Sequence, residues 1–457
     1  MANTDSPNIL LVITDQQSAD AMSSEIGDAH ISTPAMDSIA SSGLRFTKAS
    51  CADPLCVPSR TSLFTGRYPH ETGVLTNKDI ERDVSAFPCL GTIFRDAGFD
   101  TGYVGKWHLP YPIDNSATHG FSFRANNICN GADHLNSNKA SEFLRERRTA
   151  PFFLVASYNN PHNICEWSRG ARGSLPDGVI NDPPPLDRLP PLKPNWKPQV
   201  DEPDTLSLLR RSYHASPAFP VGDFGEREWR EYLWAYYRMI ECVDGRIAVL
   251  LETLEATGLR ENTAVVFISD HGDAQGAHLW NQKTVLHDES SRVPCVVSYP
   301  RRVAAGISNA LVQTGTDLMP TLCDIAGIAL PPNLPGRSML DAAVEVTDDR
   351  KRPYVVAQTR FIQGADIDGS IPEVQGRMLR SERYKYCVYD TGEHRESLVD
   401  MERDPGETTN LAGKSDYSSV LEEHRRYLKE FSATTRDPFP IVTNTEEPNK
   451  ADAGDGK

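Results

Sequence analysis

The 457-residue sequence has no apolar run near the roughly 20 residues that a membrane-spanning helix needs. It also lacks a positive charge balance, since 47 Lys and Arg face 63 Asp and Glu and give a formal net charge of −16. Such a balance argues against nucleic acid as a partner. These absences indicate a globular protein with neither a membrane nor a nucleic acid as partner, in which an anionic substrate would need a local basic site.

The cysteines form no recognisable pattern. Nine are scattered through the chain, with neither a disulfide framework nor a Cys-x-x-Cys zinc site. The N-terminus has no basic segment, and its apolar run at residues 9–13 is too short for a signal peptide. We therefore expect a cytoplasmic protein, or a periplasmic or secreted one if a signal segment has been removed.

Strand and helix patterns alternate along most of the chain. Uninterrupted apolar runs predict buried strands at residues 8–14, 100–104, 152–157, 263–269 and 294–298. Helical patterns between them lie at residues 34–43, 90–97 and 226–257, the last with a possible break near Asp244-Gly245. Alternation of this kind predicts an α/β fold with a large, mostly parallel sheet sandwiched by helices.

The pattern changes near residue 353. Short strands separated by turn residues and a closing helix at residues 420–431 predict a smaller C-terminal α+β subdomain with a short antiparallel sheet. We therefore expect a catalytic α/β domain at 1–352, the subdomain at 353–442 and a flexible tail at 443–457.

Residues 163–225 differ from the rest of the first domain. Proline-rich segments such as 182–185 and 189–194 predict a long extended loop. Loops of this length inside a domain are usually functional or disordered. We expect this one to form a wall over the active face.

Residues 51–66 combine features that are typical of an anion-binding site at the start of a helix. Pro58 suits the first position of a helix and Gly66 suits its exit, so Cys56 should lie where free N–H groups of the helix point. Arg60, one turn further, adds a fork of donors. The stretch predicts an anion site with a sulfur side chain at its floor.

Polar residues follow the carboxyl ends of several predicted strands, where ligands bind in open α/β sheets. The set is Asp15, Lys106, His162 and Asp270-His271. Two carboxylates, with a carbonyl oxygen from Gln16, suit Ca²⁺ or Mg²⁺ better than a thiolate metal. The sequence thus predicts a divalent metal and basic side chains at one edge of the sheet.

Several motifs resemble those of the type I sulfatases, within the alkaline-phosphatase-like superfamily. Cys56-Val57-Pro58-Ser59-Arg60 followed by Thr61-x-x-x-Thr65-Gly66 resembles the signature of that family. Further matching elements are Gly105-Lys106-Trp107-His108, Asn160-Pro161-His162, Asp270-His271-Gly272, Asn281-Gln282-Lys283 and residues 398–411. The resemblance therefore covers nearly the whole chain and is weakest at residues 163–225.

The resemblance implies a cofactor and a role for each matching residue. Cys56 would be oxidised to formylglycine by a formylglycine-generating enzyme, and its hydrated aldehyde would attack sulfur. Ca²⁺, with Mg²⁺ or Mn²⁺ as alternatives, would be held by Asp15, Gln16, Cys56, Asp270 and His271. Asp15-Gln16 departs from the family's common Asp-Asp pair. The remaining roles concern the sulfate and the leaving group. Lys106 and His108 would hold the sulfate oxygens and the formylglycine hydroxyl, and Arg60, Lys106 and Lys283 would stabilise the charge on the sulfate oxygens. His162 with Lys283 would protonate the leaving oxygen.

The implied activity is hydrolysis of a sulfate ester, with a sulfated small molecule or oligosaccharide as substrate. Among candidate substrates the resemblance favours sulfated sugars over choline sulfate and aryl sulfates. The alternatives are a phosphonate or phosphate monoester hydrolase of the same superfamily and a catalytically inactive anion-binding protein on the same fold.

Overall fold

The computed structural model describes residues 6–128, 132–172, 175–177, 180–343 and 351–441. In these ranges the strands are β1 Asn8–Asp15, β2 Leu44–Ser50, β3 Asp100–Gly105, β4 Phe123–Ala125, β5 Phe152–Pro161, β6 Thr263–Ser269, β7 Cys295–Ser298, β8 Gly306–Gln313, β9 Tyr354–Phe361, β10 Val374–Ser381, β11 Tyr384–Tyr389 and β12 Glu396–Asp400. The tail expected at 443–457 lies outside the described residues. None of the described helices is both long and apolar enough to cross a membrane.

Helices fill most of the connections. They are α1 Ser23–Ile26, α2 Pro34–Ser42, α3 Cys56–Thr65, α4 Pro69–Thr72, α5 Leu90–Asp96, α6 Ser116–His119, α7 Asp133–Arg145, α8 Ile164–Ser168, α9 Asp204–His214, α10 Glu226–Ala256, α11 Asp288–Ser291, α12 Thr314–Ala326, α13 Met339–Ala343 and α14 Ser418–Thr435. The cysteines of the described residues are all free, as their scattered spacing indicates.

The large sheet has eight strands in the order β4-β3-β5-β1-β6-β7-β2-β8. All its pairs are parallel except the two that β7 makes with β6 and β2. The mostly parallel α/β prediction is therefore confirmed. The predicted strand at 294–298 begins one residue later and is the single antiparallel member, whereas β2, β4 and β8 were not predicted.

Both faces of this sheet are covered. Along β1, Ile9, Leu11 and Ile13 pack into a core with α3, α5 and α12, whereas Leu10 and Val12 face a second core with α2, α7 and α10. Side chains alternate along a strand, so a strand buried on both faces must be apolar throughout. The uninterrupted apolar run of β1 has this physical origin.

The smaller sheet is a four-stranded antiparallel unit in the order β12-β11-β10-β9. Apolar residues on one face pack with α14, and those on the other pack with α9 and residues 274–286. The expected C-terminal α+β unit is therefore present. The domain boundary at 352/353 stays a prediction.

Two local predictions were wrong. Residues 163–225 were expected to be loop, but they include α8 and α9, the latter an amphipathic helix whose Leu206, Leu209 and Tyr213 are buried. The long helix α10 runs unbroken through Asp244-Gly245. Asp244 accepts hydrogen bonds there from the N–H groups of Ala35 and Met36 at the start of α2, which explains a carboxylate in a buried helix.

Candidate active site

Four potential metal-binding side chains converge where β1 and β6 end. Ligand atoms of Asp15, Cys56, Asp270 and His271 lie within 4.8 Å of one another, and all four side chains are buried. The register pairs Thr14 with Ser269 in adjacent parallel strands, which brings the next residues, Asp15 and Asp270, together. Three stretches far apart in sequence, at residues 15, 56 and 270–271, thus form one cluster at the carboxyl edge of the sheet.

Cys56 is the first residue of α3, which ends at Gly66 in the left-handed conformation, with φ of 66°. The helix therefore begins two residues earlier than predicted, and Pro58 is its third residue. Cys56 Sγ lies 3.2 Å from His271 Nε2 and 3.9 Å from Asp15 Oδ1. In this structure the thiol stands in for the oxygens that an oxidised residue 56 would carry.

The electrostatic setting favours the anionic form of Cys56. Burial and Asp15 raise the pKa of the thiol, but the positive charges of Lys283, Lys106 and His271 outweigh them and hold that pKa well below its usual value. The chain concentrates cations at this point despite its net charge of −16. The cluster can therefore accommodate additional negative charge.

Arg60 links the two carboxylates. Its Nε donates to Asp270 Oδ2 at 2.8 Å and its Nη2 donates to Asp15 Oδ2 at 2.9 Å. Its Nη1 donates to Ser157 Oγ and to the carbonyl of Lys106. Arg60 was expected to face the anionic substrate. In this structure it is fully buried and its donors contact the protein, because two adjacent carboxylates need a charge between them.

Lys106 follows β3 and reaches the same carboxylate as Arg60. Its Nζ lies 2.7 Å from Asp15 Oδ2, and its side chain is 2% exposed. Burial disfavours the ammonium, but Asp15 and Cys56 outweigh burial, so the pKa of Lys106 is raised. Gly105 has φ of 94°, and a Cβ there would lie 1.8 Å from Ser157 O, so this approach requires glycine.

Lys283 reaches the cluster through Gln16. Its Nζ donates to Gln16 Oε1 at 2.6 Å, and both side chains are buried. Burial lowers the pKa of Lys283, but Cys56, Cys165 and Asp15 raise it above its usual value overall. The amide oxygen predicted to bind a metal therefore faces an ammonium group in this structure.

His162 follows β5 and is 15% exposed. Burial and the charges of Lys283 and Lys106 hold its pKa well below the usual range, so the imidazole is neutral at pH 7. Its segment is held by Asp133, whose Oδ1 and Oδ2 accept the N–H groups of Asn159 at 2.7 Å and Asn160 at 2.8 Å. A fixed backbone thus carries an uncharged base beside the cations.

For His108, as for His162, no hydrogen bond or ion pair to the four-residue cluster is found in the described part of the chain. His108 is partly exposed, has φ of 46°, and its Nδ1 is buried without a hydrogen-bond partner among the described residues. A contact between His108 and bound substrate stays a prediction.

Two carboxylates were not assigned roles from the sequence. Asp133 opens α7, where an acidic residue is indistinguishable from ordinary helix-end stabilisation. Asp273 directly follows the motif Asp270-His271-Gly272, so its proximity to the site could have been inferred from the sequence. Its side-chain hydrogen-bond partners could not, because they lie far away in the chain.

The donor set fits a hard divalent cation. Asp15 and Asp270 offer carboxylate oxygens and His271 an imidazole nitrogen, whereas the Gln16 amide oxygen faces Lys283 Nζ. Oxygen donors suit Ca²⁺ and Mg²⁺, and a single nitrogen is an unusual but minor departure. A thiolate at residue 56 does not suit these cations, whereas an oxygen in its place would.

Comparisons with known proteins identify the family. The Sulfatase family model matches residues 7–328. A second model, described as the C-terminal region of N-sulphoglucosamine sulphohydrolase, matches residues 276–434.

Relatives of known name align over nearly the full chain. A Delta 4,5-hexuronate-2-O-sulfatase of Bacteroides thetaiotaomicron is 29% identical over 97% of this chain and 92% of that protein. An ulvan-active sulfatase of Formosa agariphila is 30% identical over 95% of this chain and 82% of that protein.

Solved structures share the architecture. A 2-O GAG sulfatase has a TM-score of 0.81 at 28% identity, covering 96% of this chain and 94% of the other. A phosphonate monoester hydrolase of Agrobacterium radiobacter has a TM-score of 0.71 at 22% identity, covering 96% and 98%, which shows a shared fold alone.

Proposed function

Since this chain belongs to the sulfatase family and is a sulfuric ester hydrolase, we propose that its substrate is a sulfated carbohydrate. The named relatives above, a hexuronate 2-O-sulfatase and an ulvan-active sulfatase, support a sugar ester over an aryl or choline ester.

The observation that carries the mechanism is the meeting of Cys56 with two carboxylates and His271 within 4.8 Å. We propose that a formylglycine-generating enzyme oxidises Cys56 during maturation. The hydrated aldehyde supplies two hydroxyl groups, one for attack on sulfur and one whose deprotonation allows sulfate to leave. Mass spectrometry of the peptide that contains Cys56 tests this step: a full-occupancy thiol in an active preparation would exclude it.

We propose Ca²⁺ as the resident cation, held by Asp15, Gln16, Asp270, His271 and the oxidised residue 56. A divalent cation at this point supplies a Lewis acid for oxygen atoms of the ester and of residue 56. Arg60 holds Asp270 and Asp15 side by side through the neighbouring Nε and Nη2 of its guanidinium. Its role in this proposal is therefore to orient the metal-binding carboxylates.

The basic side chains act on the ester itself. The pKa values of Lys106 and Lys283 are raised, so both side chains are ammonium groups near residue 56. They stabilise the charge that spreads over the sulfuryl oxygens. Cleavage breaks the bond between sulfur and the ester oxygen, and that oxygen needs a proton. His162 is neutral in the free site, so the anionic ester must raise its pKa before it can act as the acid, with Lys283 beside it.

The alternative of a phosphonate or phosphate monoester hydrolase is not favoured, because the phosphonate hydrolase above is a likeness in fold only. The deciding experiment compares kcat/KM on sulfate, phosphate and phosphonate esters of one alcohol. We expect the sulfate ester to be preferred. A panel of desalted sulfated mono- and oligosaccharides then tests the substrate class, and turnover of aryl sulfates without any sugar sulfate would contradict it.

A further inference from the structure

Asp273 closes the stretch Asp270-His271-Gly272-Asp273 but is not part of the four-residue cluster. Its Oδ2 accepts hydrogen bonds from Gln16 Nε2 at 2.7 Å and from the Tyr232 hydroxyl at 2.9 Å. Its Oδ1 accepts the backbone N–H of Gln275 at 2.7 Å. Asp273 is fully buried, so these bonds fix its carboxylate in place.

The Gln16 side chain lies between this anion and a cation. Its Nε2 faces Asp273 Oδ2, and its Oε1 accepts from Lys283 Nζ at 2.6 Å. If the amide were rotated by 180°, acceptor would face acceptor at Asp273 and donor would face donor at Lys283. Cys165 Sγ lies 3.5 Å from both Nε2 and Oε1 and selects neither orientation. The carboxylate of Asp273 and the ammonium of Lys283 together select the one observed.

Lys283 lies between two residues with strained backbone conformations. Its neighbours Gln282 and Thr284 have φ of 60° and 81°, in the left-handed region that residues other than glycine rarely adopt. Its side chain is nevertheless buried, with the ammonium directed at Gln16. The orientation of the Gln16 amide therefore determines whether the Lys283 ammonium faces an acceptor or a donor.

We propose that Asp273 is a positioning residue, which fixes the Gln16 amide so that Oε1 faces Lys283 and is available as an oxygen donor to the proposed cation. The calcium part of this inference rests on the proposed function. Loss of Asp273 is expected to weaken cation binding and to misplace Lys283, although Asp273 contacts neither substrate nor cation.

The decisive variant is Asp273→Asn. The backbone N–H of Gln275 can only donate a hydrogen bond. The amide introduced at position 273 must therefore turn its oxygen to that N–H and its NH₂ towards Gln16 and Tyr232. The Tyr232 hydroxyl can rotate and accept, but Gln16 must flip and present its own NH₂ to Lys283. Adding Gln16→Glu to this variant restores an acceptor at both ends of residue 16.

Isothermal titration of the metal-free, converted protein with Ca²⁺ gives the first measurement. Loss of a residue that orients a metal ligand typically costs about 10–100-fold in affinity. We expect that loss for Asp273→Asn, and a higher affinity for Asp273→Asn with Gln16→Glu than for Asp273→Asn alone. Tyr232→Phe is the control. It removes the other bond to the same Oδ2 and a longer one, of 3.4 Å, that the hydroxyl accepts from Gln282 N–H, but it leaves the amide orientation intact, so its affinity should stay within about twofold.

Unchanged Ca²⁺ affinity in Asp273→Asn would overturn the inference, as would an equal loss in Tyr232→Phe. If Asp273→Asn does not fold, the inference is tested by the thermal midpoints of Gln16→Glu and of the double variant. Gln16→Glu alone places two carboxylates together, and the double variant must then be more stable than that single variant; if it is not, the inference fails.

These measurements separate the inference from the function on which it rests. Wild type that binds Ca²⁺ but hydrolyses no sulfated sugar would defeat the substrate proposal and leave the role of Asp273 standing. Wild type that binds no Ca²⁺ would defeat the metal proposal, and the order of the thermal midpoints would still test the amide orientation.

Discussion

Arg60 Nε donates to Asp270 Oδ2 at 2.8 Å, and neither side chain is exposed to solvent. The same guanidinium reaches Asp15 at 2.9 Å, so Arg60 bridges two buried carboxylates, one of which also pairs with Lys106 at 2.7 Å. Such a pair need not contribute net stability, but removing one partner leaves a buried charge uncompensated.

Arg60→Lys is therefore expected to destabilise the protein although the charge is kept. A lysine ammonium cannot span both carboxylates as the planar fork does, and the cost should be on the order of 3 kcal/mol. Arg67→Lys is the matched control, because Arg67 forms a partly exposed pair with Glu71 at 3.3 Å, and we expect a change of about 1 kcal/mol or less there. Thermal unfolding measures both. Equal midpoints for the two variants would contradict the structural role of Arg60.

His162→Ala should affect substrates unequally. General acids typically contribute roughly 10²–10⁴-fold, and a sugar alkoxide needs a proton far more than a nitrophenolate does. We therefore expect kcat/KM to fall by about that factor for a sugar sulfate and much less for an activated aryl sulfate. Lys106→Ala, which serves the sulfuryl group, should reduce both alike. Equal losses in His162→Ala would assign the acid role to Lys283 instead.

Removal of the cation should lower both stability and activity. A ligand that binds only the folded state adds about 2.7 kcal/mol at a concentration of 100 times its dissociation constant. The thermal midpoint of chelator-treated protein should therefore rise with added Ca²⁺. Asp270→Ala should lack this response, because it removes one of the two carboxylates. A zinc-specific response, or full activity in Asp270→Ala, would argue against the calcium site.

Asp244→Ala should weaken the start of α2. Thr33 forms no side-chain cap there, and Asp244 Oδ1 accepts from Met36 N at 2.8 Å. Losing this acceptor should cost about 1–2 kcal/mol. The neighbouring exposed Gly245 has nothing within 4 Å of an added Cβ, so Gly245→Ala should instead stabilise α10 by about 0.5–1 kcal/mol. Chemical denaturation should show a lower free energy of unfolding for Asp244→Ala and a higher one for Gly245→Ala.

Local patterns in the sequence determined much of the fold and part of the candidate site. A strand covered by helices on both faces must be apolar, so β1, β5 and β6 were readable, and with them the polar residues at their ends. The motifs around Cys56, Lys106 and Asp270 indicated the family and the type of chemistry. These signals are local because they depend on periodicity and on residue type at strand and helix ends.

The tertiary structure decided which partners these residues meet. Asp244 marks no helix break, because its carboxylate receives N–H groups from α2, some 200 residues away in sequence. Arg60 joins Asp15 to Asp270, and Asp273 holds Gln16, through bonds that cross between strands and loops far apart in the chain. A side chain can hydrogen-bond many groups equally well in isolation. Burial removes the competing water and leaves the partner that the fold brings near.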